Sequence, residues 1–151
     1  MDEPLSESVF AIHTQSQTGQ RNAQLRGGNI LILEFGLFYA APFGPALLAD
    51  YGADVLKLEP PGGAALRRMG PFHQDDPHPE KSLFNLVLNL NKKGATINLE
   101  TTTGQALLKE LVQRVDVVVE TFHPGHLELL GLGYDALQEL NPCLVMTSIT
   151  P

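Results

Sequence analysis

A chain of 151 residues, 43% hydrophobic and 18% charged, is long enough to bury one core and has the composition of a soluble globular domain. Its 17 acidic and 10 basic residues give a formal net charge of -7, which argues against nucleic-acid binding because a phosphate-binding surface requires positive charge. The one cysteine, Cys143, allows neither an intrachain disulfide nor a cysteine-based zinc site, so we expect a reducing intracellular compartment.

Residues 1–27 are polar and contain no sustained apolar run, so they predict neither a signal peptide nor a membrane span. We interpret them as a disordered polar tail. Arg21 and Arg26, in a glutamine-rich stretch, fit a mitochondrial presequence, but three early acidic residues argue against one. We therefore predict a cytoplasmic location, with the mitochondrion as the alternative.

From Gly28 onward, short apolar runs alternate with stretches of helical spacing. "NILILEF" (29–35) is a continuous apolar run, which is typical of a strand covered on both faces. "FGPALLADYG" (43–52) has leucines at helical spacing and a glycine at its end, and "ADVLKLE" (53–59) predicts a second strand. "SLFNLVLNLN" (82–91) fits either a helix or a strand.

The second half of the chain continues this alternation. "GATINLE" (94–100) predicts a strand because threonine and isoleucine favour an extended backbone. "TTTGQALLKELVQRV" (101–115) predicts a helix with a threonine N-cap and one apolar face. The remaining predictions are strands at "DVVVETF" (116–122) and "CLVMTSIT" (143–150), with the short helices "HLELL" and "YDALQELN" between them. Together they predict an α/β fold with a mainly parallel five-stranded sheet and helices on both faces.

Ligands of such sheets bind beyond the carboxyl ends of the strands. Three of those ends are loops rich in glycine and proline, "EFGLFYAAP", "KLEPPGG" and "VETFHPG". The first loop lacks the G-x-G-x-x-G spacing, and no G-x-x-x-x-G-K-[ST] run occurs in the chain. A nicotinamide-dependent oxidoreductase or a P-loop enzyme is therefore disfavoured.

Several charged or titratable residues fit two interpretations. Arg67 can hold a phosphate or belong to a solvated loop. Lys92 and Lys93 are more typical of a solvated turn than of a ligand site. His123 and His126 lack the carboxylate–histidine spacing of a helix-borne metal site, so we predict no metal.

Three stretches carry a family resemblance: "ILEFGLFYAAPFGPALLADYGADVLKLEPPGG", "NLNKKGATINLETTTGQALLKELVQRVDVVVETFHPG" and "LGLGYDALQELNPCLVMTSIT". In order and spacing they resemble the N-terminal part of the class III coenzyme A transferases, a family that includes α-methylacyl-CoA racemase. The resemblance implies that residues 28–151 are the N-terminal part of a large Rossmann-like domain. It also implies homodimers, and coenzyme A or acyl-CoA as a substrate rather than as a tightly bound cofactor.

The activity implied by the resemblance is transfer of coenzyme A between an acyl-CoA and a carboxylic acid. In the family an aspartate attacks the donor thioester and forms an acyl anhydride. That aspartate is expected beyond Pro151, so we predict no catalytic residue within the chain. The hypotheses are a divergent or truncated transferase, a non-catalytic fragment that only binds coenzyme A or a partner protomer, and a racemase-type member.

The resemblance also implies which residues contact coenzyme A. They lie in the first loop, after the second strand, in the third-strand region and after the fourth strand: Phe38, Tyr39, Arg67, Ile97, Asn98, Leu99, Glu100, Thr121 and Phe122. Three positions that are basic in the family are Pro60, Leu90 and Leu129 in this chain. We therefore expect weak binding of coenzyme A.

Overall fold

The computed structural model describes residues 13–14, 30–36 and 39–149. The strands are β1 (His13–Thr14), β2 (Leu31–Phe35), β3 (Asp54–Glu59), β4 (Lys93–Thr96), β5 (Val117–Glu120) and β6 (Val145–Ser148). The helices are α1 (Ala40–Asp50), α2 (Leu83–Leu88), α3 (Thr102–Val112), α4 (His126–Leu129) and α5 (Tyr134–Leu140), with 3₁₀ turns at Ala65–Arg68 and His73–Asp75. Apart from His13 and Thr14, the predicted polar tail lies outside the described residues.

The strands form one open sheet in the order β1-β4-β3-β2-β5-β6. Strands β2 to β6 are parallel to their neighbours, and β1 is antiparallel to β4. The chain moves outward in one direction from β2 through β3 to β4, and in the other from β5 to β6, so the order reverses between β2 and β5. This is the strand order of a Rossmann-type sheet, and it confirms the predicted mainly parallel sheet.

The two faces of the sheet are buried by different helices. Leu33 and Phe35 of β2 belong to the larger core, together with Leu108 and Val112 of α3 and Leu137 of α5. The other side chains of β2 point to the opposite face because successive residues of a strand alternate. There Ile32, Val55 and Val119 pack with Ala41 and Ala49 of α1. The predicted layering of helices on both faces is confirmed.

Helix α1 packs through small residues rather than through its leucines. Its buried residues are Ala41, Pro42, Pro45 and Ala49, whereas Leu47 and Leu48 are 47% and 45% exposed. Small side chains let a helix approach the sheet closely. The close approach also explains Gly36, because a Cβ there would lie 2.7 Å from Cδ of Pro42.

The structure corrects the third predicted strand and decides the ambiguous segment. Strand β4 ends at Thr96. The N–H of Ile97 still donates to the carbonyl of Glu59 at 2.9 Å, and residues 98–100 then turn away from the sheet into α3. The segment 82–91 contains the short helix α2. Its N-cap is the fully buried Ser82, whose Oγ accepts from the backbone N–H of Asn85 and donates to the carbonyl of Leu66.

No helix in the described part of the chain has the length and apolar character needed to cross a membrane.

At the other end of the sheet from β1, strand β6 is the edge strand. Its first residue, Val145, is 56% exposed. The described residues therefore leave an apolar side chain uncovered at this edge.

Candidate functional site

A cavity of about 180 Å³ lies beyond the carboxyl ends of β2 and β3, between the loops that follow β4 and β5. Five residues implied by the family resemblance line it together: Ile97, Asn98, Leu99, Glu100 and Phe122. They come from two loops that are distant in the sequence. The fold therefore brings these five predicted residues to one place.

Among the described residues, six more line the same cavity and were not predicted as site residues: Phe35, Gly36, Leu58, Glu59, Pro60 and His126. The first five lie at or directly beyond the ends of β2 and β3. The rule that ligands bind beyond the carboxyl ends of parallel strands was a sufficient signal for those five. No sequence pattern indicated His126, because its place depends on how α4 packs.

An aromatic wall forms one side of the cavity. The rings of Phe122 and His126 are stacked, with centroids 4.9 Å apart and an interplanar angle of 29°. The ring of Phe35 lies 6.1 Å from that of Phe122. Nε2 of His126 is 3.9 Å from Oε1 of Glu100, which is on the opposite loop. Flat aromatic surfaces of this kind suit a planar ligand ring.

The loop of residues 97–100 is held by the first turn of α3. Asn98 forms the turn: its Oδ1 accepts from the backbone N–H of Glu100 at 3.1 Å, and its carbonyl accepts from Oγ1 of Thr101 at 2.8 Å. Thr101 is the predicted N-cap, and its Oγ1 accepts from the N–H of Gly104 at 3.1 Å. Nε2 of Gln105 donates to the carbonyl of Leu99 at 3.0 Å. These bonds join the loop to the first turn of α3.

Among the other predicted contacts, Tyr39 and Thr121 do not line the cavity. Phe38 is outside the described residues. Tyr39 is 52% exposed and does not line the cavity; its ring stacks on Phe43, with centroids 5.7 Å apart. Thr121 is partly buried, and its backbone N–H donates to the carbonyl of Phe35 at 3.2 Å. Thr121 therefore joins the loop after β5 to the end of β2.

Arg67 does not line the cavity, but it contacts Glu59, which does. Its Nε donates to both carboxylate oxygens of Glu59, at 2.8 and 3.1 Å, and Nη2 lies 2.8 Å from Glu59 Oε2. Its Nη1 donates to Glu80 at 2.7 Å. Two carboxylates therefore face a single guanidinium. The geometry favours a role for Arg67 in holding Glu59. The sequence had left a phosphate contact and a solvated loop both open, and the resemblance implied contact with coenzyme A.

A buried ionic cluster lies under the first turn of α1. Nζ of Lys92 is 2.5 Å from Oε2 of Glu34 and donates to the carbonyl of Pro42 at 2.7 Å. Nζ of Lys57 is 3.6 Å from Oε1 of Glu34 and donates to Oδ1 of Asn89 at 2.9 Å. All three charged side chains are at most 4% exposed. The prediction that Lys92 lies in a solvated turn was wrong.

Lys92 and its neighbour Lys93 differ in burial, because only Lys92 is paired with a buried carboxylate. Lys93 is half-exposed and pairs with Asp54 at 2.7 Å. Burial lowers the pKa of Lys92 to about 8, although the adjacent Glu34 acts in the opposite direction. Burial lowers the pKa of Lys57 as well, again against the effect of Glu34. The cost of removing an ammonium group from water outweighs one shared carboxylate.

The lowered pKa of Lys92 predicts that stability rises with pH above 8. Between pH 8 and 10.5 the unfolded chain retains a proton that the folded chain releases, so the free energy of unfolding increases with pH. We expect a gain of up to about 3 kcal/mol across this window, measured by urea denaturation. The gain should shrink in Lys92→Met and persist in Lys93→Met. A free energy of unfolding that is flat or falls over this window would contradict the assignment.

Among the described residues, no group of three or more histidine, cysteine, aspartate or glutamate side chains is arranged to hold a metal ion.

A wider cavity of about 530 Å³ lies beside β5 and β6 and includes Phe122, Tyr134 and Met146 in its wall. It opens at the edge of the sheet, whereas the smaller cavity lies over the strand ends. The smaller cavity is therefore the candidate site.

Known proteins match the chain over the part that contains this cavity. The sequence matches CoA-transferase family III over residues 28–151. Succinyl-CoA–D-citramalate CoA-transferase of Chloroflexus aurantiacus is 46% identical over 123 residues, which are 81% of this chain and 30% of that protein. Formyl-CoA:oxalate CoA-transferase of Escherichia coli is 35% identical over 121 residues, 80% of this chain and 28% of that protein.

The fold is also similar to that of a solved structure. A CAIB/BAIF family protein from Brucella suis superposes with a TM-score of 0.75 at 33% identity, covering 86% of this chain and 34% of that one. The chain thus spans about 30% of the length of the curated relatives it matches. The family match over residues 28–151, the similarity to these relatives and the shared sheet agree. The chain belongs to CoA-transferase family III.

Proposed function

We propose that this chain provides the coenzyme A-binding part of an enzyme that transfers coenzyme A between an acyl-CoA and a carboxylic acid. One observation carries the proposal: in a chain of this family, five residues implied as coenzyme A contacts line one cavity at the carboxyl ends of the strands. The relatives named above are CoA-transferases for different acids. By the same resemblance we propose a homodimer, and from the sequence we propose a cytoplasmic location.

The cavity suits the planar end of a nucleotide better than its phosphates. Its walls are the rings of Phe35, Phe122 and His126 and the aliphatic side chains of the 97–100 loop. Of its two carboxylates, Glu59 is paired with Arg67, and Glu100 is 69% exposed at the rim. Phosphates therefore have to point away from Glu100. The adenine ring of coenzyme A is the part we assign to the cavity.

We assign binding to the described residues, and we assign no chemical step to them. Glu59 has both of its oxygens bonded to Arg67, and Oε2 of Glu120 accepts from the N–H of Phe122 at 2.6 Å. The resemblance implies an aspartate nucleophile, which we expect outside the described residues. The alternatives are binding without catalysis and a racemase-type reaction. Exchange of an α-proton of an acyl-CoA, without transfer to an acceptor acid, would favour the racemase.

Calorimetric titration with coenzyme A tests the proposed site. We expect weak binding, with a dissociation constant above about 1 μM, because Pro60, Leu90 and Leu129 replace basic residues. His126→Ala should weaken binding about three- to tenfold, since it removes one aromatic wall. Tyr134→Ala is the matched control, because Tyr134 lines only the other cavity. Equal affinity of His126→Ala and the unchanged chain, or loss in Tyr134→Ala, would place the site elsewhere.

A basic residue at position 60 should strengthen binding. Pro60 lines the cavity directly after β3, and a guanidinium there can reach a phosphate of the ligand. We expect Pro60→Arg to raise the affinity for coenzyme A about tenfold and to make it more salt-dependent. Leu140→Arg adds the same charge at an exposed position of α5 and should change little. An equal gain in both variants would indicate non-specific attraction only.

A further inference from the structure

Lys92 links three parts of the fold through one buried ammonium group. It lies between α2 and β4, and its Nζ contacts Glu34 of β2 at 2.5 Å and the carbonyl of Pro42 in α1 at 2.7 Å. The side chain is 1% exposed. None of the contacts proposed above for coenzyme A involves this ammonium group.

The contact with Pro42 leads directly to the candidate site. Pro42 belongs to the first turn of α1 and packs against Gly36 so tightly that a Cβ at position 36 would lie 2.7 Å from its Cδ. Gly36 and the preceding Phe35 line the cavity. A shift of Pro42 therefore changes the wall of the cavity at the end of β2.

Stability alone does not account for an ion pair at this position. Replacement of a buried ion pair by apolar groups is often neutral or stabilising, and here Oε1 of Glu34 has no hydrogen-bond partner among the described residues. What an apolar side chain cannot reproduce is the hydrogen bond to the carbonyl of Pro42. That bond fixes the start of α1 relative to β2.

We propose that Lys92 is a positioning residue that holds the first turn of α1, and through Pro42 and Gly36 one wall of the coenzyme A site, in place. The inference rests on the proposed function for the identity of the ligand. Lys92 itself does not line the cavity, so it acts only through the backbone of α1. Its exposed neighbour Lys93 has no such role.

The test compares ligand affinity with stability in four forms of the full 151-residue chain. The variant Glu34→Gln/Lys92→Met removes the bond to Pro42 together with the buried carboxylate, and Lys57 keeps its hydrogen bond to Oδ1 of Asn89. Lys93→Met is the control for loss of a lysine. Leu137→Ala is the control for loss of stability, because Leu137 is buried on the opposite face of the sheet. Coenzyme A affinity is measured by calorimetry where each form is fully folded, and amide exchange is followed at Phe43, whose N–H donates to the carbonyl of Tyr39 at 3.2 Å.

We expect the double variant to bind coenzyme A about tenfold more weakly and to exchange the amide of Phe43 faster. Lys93→Met and Leu137→Ala should stay within about twofold of the unchanged chain in affinity. Unchanged affinity in the double variant, or an equal loss in Leu137→Ala, would overturn the inference. If the unchanged chain binds no coenzyme A, the proposed function fails, and amide exchange alone then decides whether Lys92 holds the start of α1.

Discussion

Replacing Arg67 by alanine is expected to lower the free energy of unfolding by about 3 kcal/mol, because it leaves a buried carboxylate without its partner. The side chain of Glu59 is 8% exposed, and three contacts of 2.8 to 3.1 Å join it to the guanidinium. Urea denaturation measures the loss. The double variant Glu59→Gln/Arg67→Met should recover most of it, since no unpaired charge then remains buried.

Arg68→Ala is the control for this prediction. Arg68 is exposed and donates from Nη2 to the carbonyl of Gly62 at 2.7 Å, so its loss should cost less than about 1 kcal/mol. The same variants separate the two interpretations of Arg67. An Arg67→Ala chain of unchanged stability that loses coenzyme A affinity would show that Arg67 binds the ligand, as the resemblance implies.

Replacing Gly104 by alanine is expected to destabilise the chain by about 3 kcal/mol and to distort the candidate site. A Cβ at position 104 would lie 1.9 Å from the carbonyl oxygen of Asn98 and 2.7 Å from its carbonyl carbon. Those are backbone atoms of the loop that lines the cavity, so the loop and the start of α3 have to separate. Thermal unfolding measures the stability, and coenzyme A titration measures the site.

Gly44→Ala is the matched control, because Gly44 lies inside α1 and a Cβ there meets nothing within 4 Å. Alanine in a helix is about 0.5 to 1 kcal/mol more favourable than glycine. The same substitution should therefore stabilise the chain at position 44 and destabilise it at position 104. Equal effects at the two positions would mean that helix propensity, rather than the contact with Asn98, determines the outcome.

Much of the fold followed from local patterns. The apolar runs that became β2, β3, β5 and β6 were recognisable because a strand covered on both faces needs consecutive apolar residues. The N-cap Thr101 was recognisable because a hydroxyl before a helical run accepts from the first free N–H groups. The order of these elements, together with the three stretches that carry the resemblance, was also enough to identify the family.

The candidate site could be predicted only in part. The resemblance indicated Ile97 to Glu100 and Phe122, which the fold brings together, but the pattern assigned residues 94–100 to one strand. The strand ends at Thr96 because Asn98 turns the backbone and because the first turn of α3 packs against its carbonyl. Those bonds depend on side-chain geometry, which hydrophobic periodicity does not describe.

By itself, the sequence determined the α/β class, the helices and strands with strong patterns, and the family. Only the tertiary structure decided which charged residues are buried and which loops meet. Lys92 and Lys93 are adjacent and chemically identical, yet Lys92 is buried because Glu34, 58 positions away, and the carbonyl of Pro42 lie where its ammonium ends. His126 lines the cavity because α4 places its ring on Phe122. Local propensity depends on near neighbours in the chain, whereas burial and site geometry depend on partners that only the folded sheet brings together.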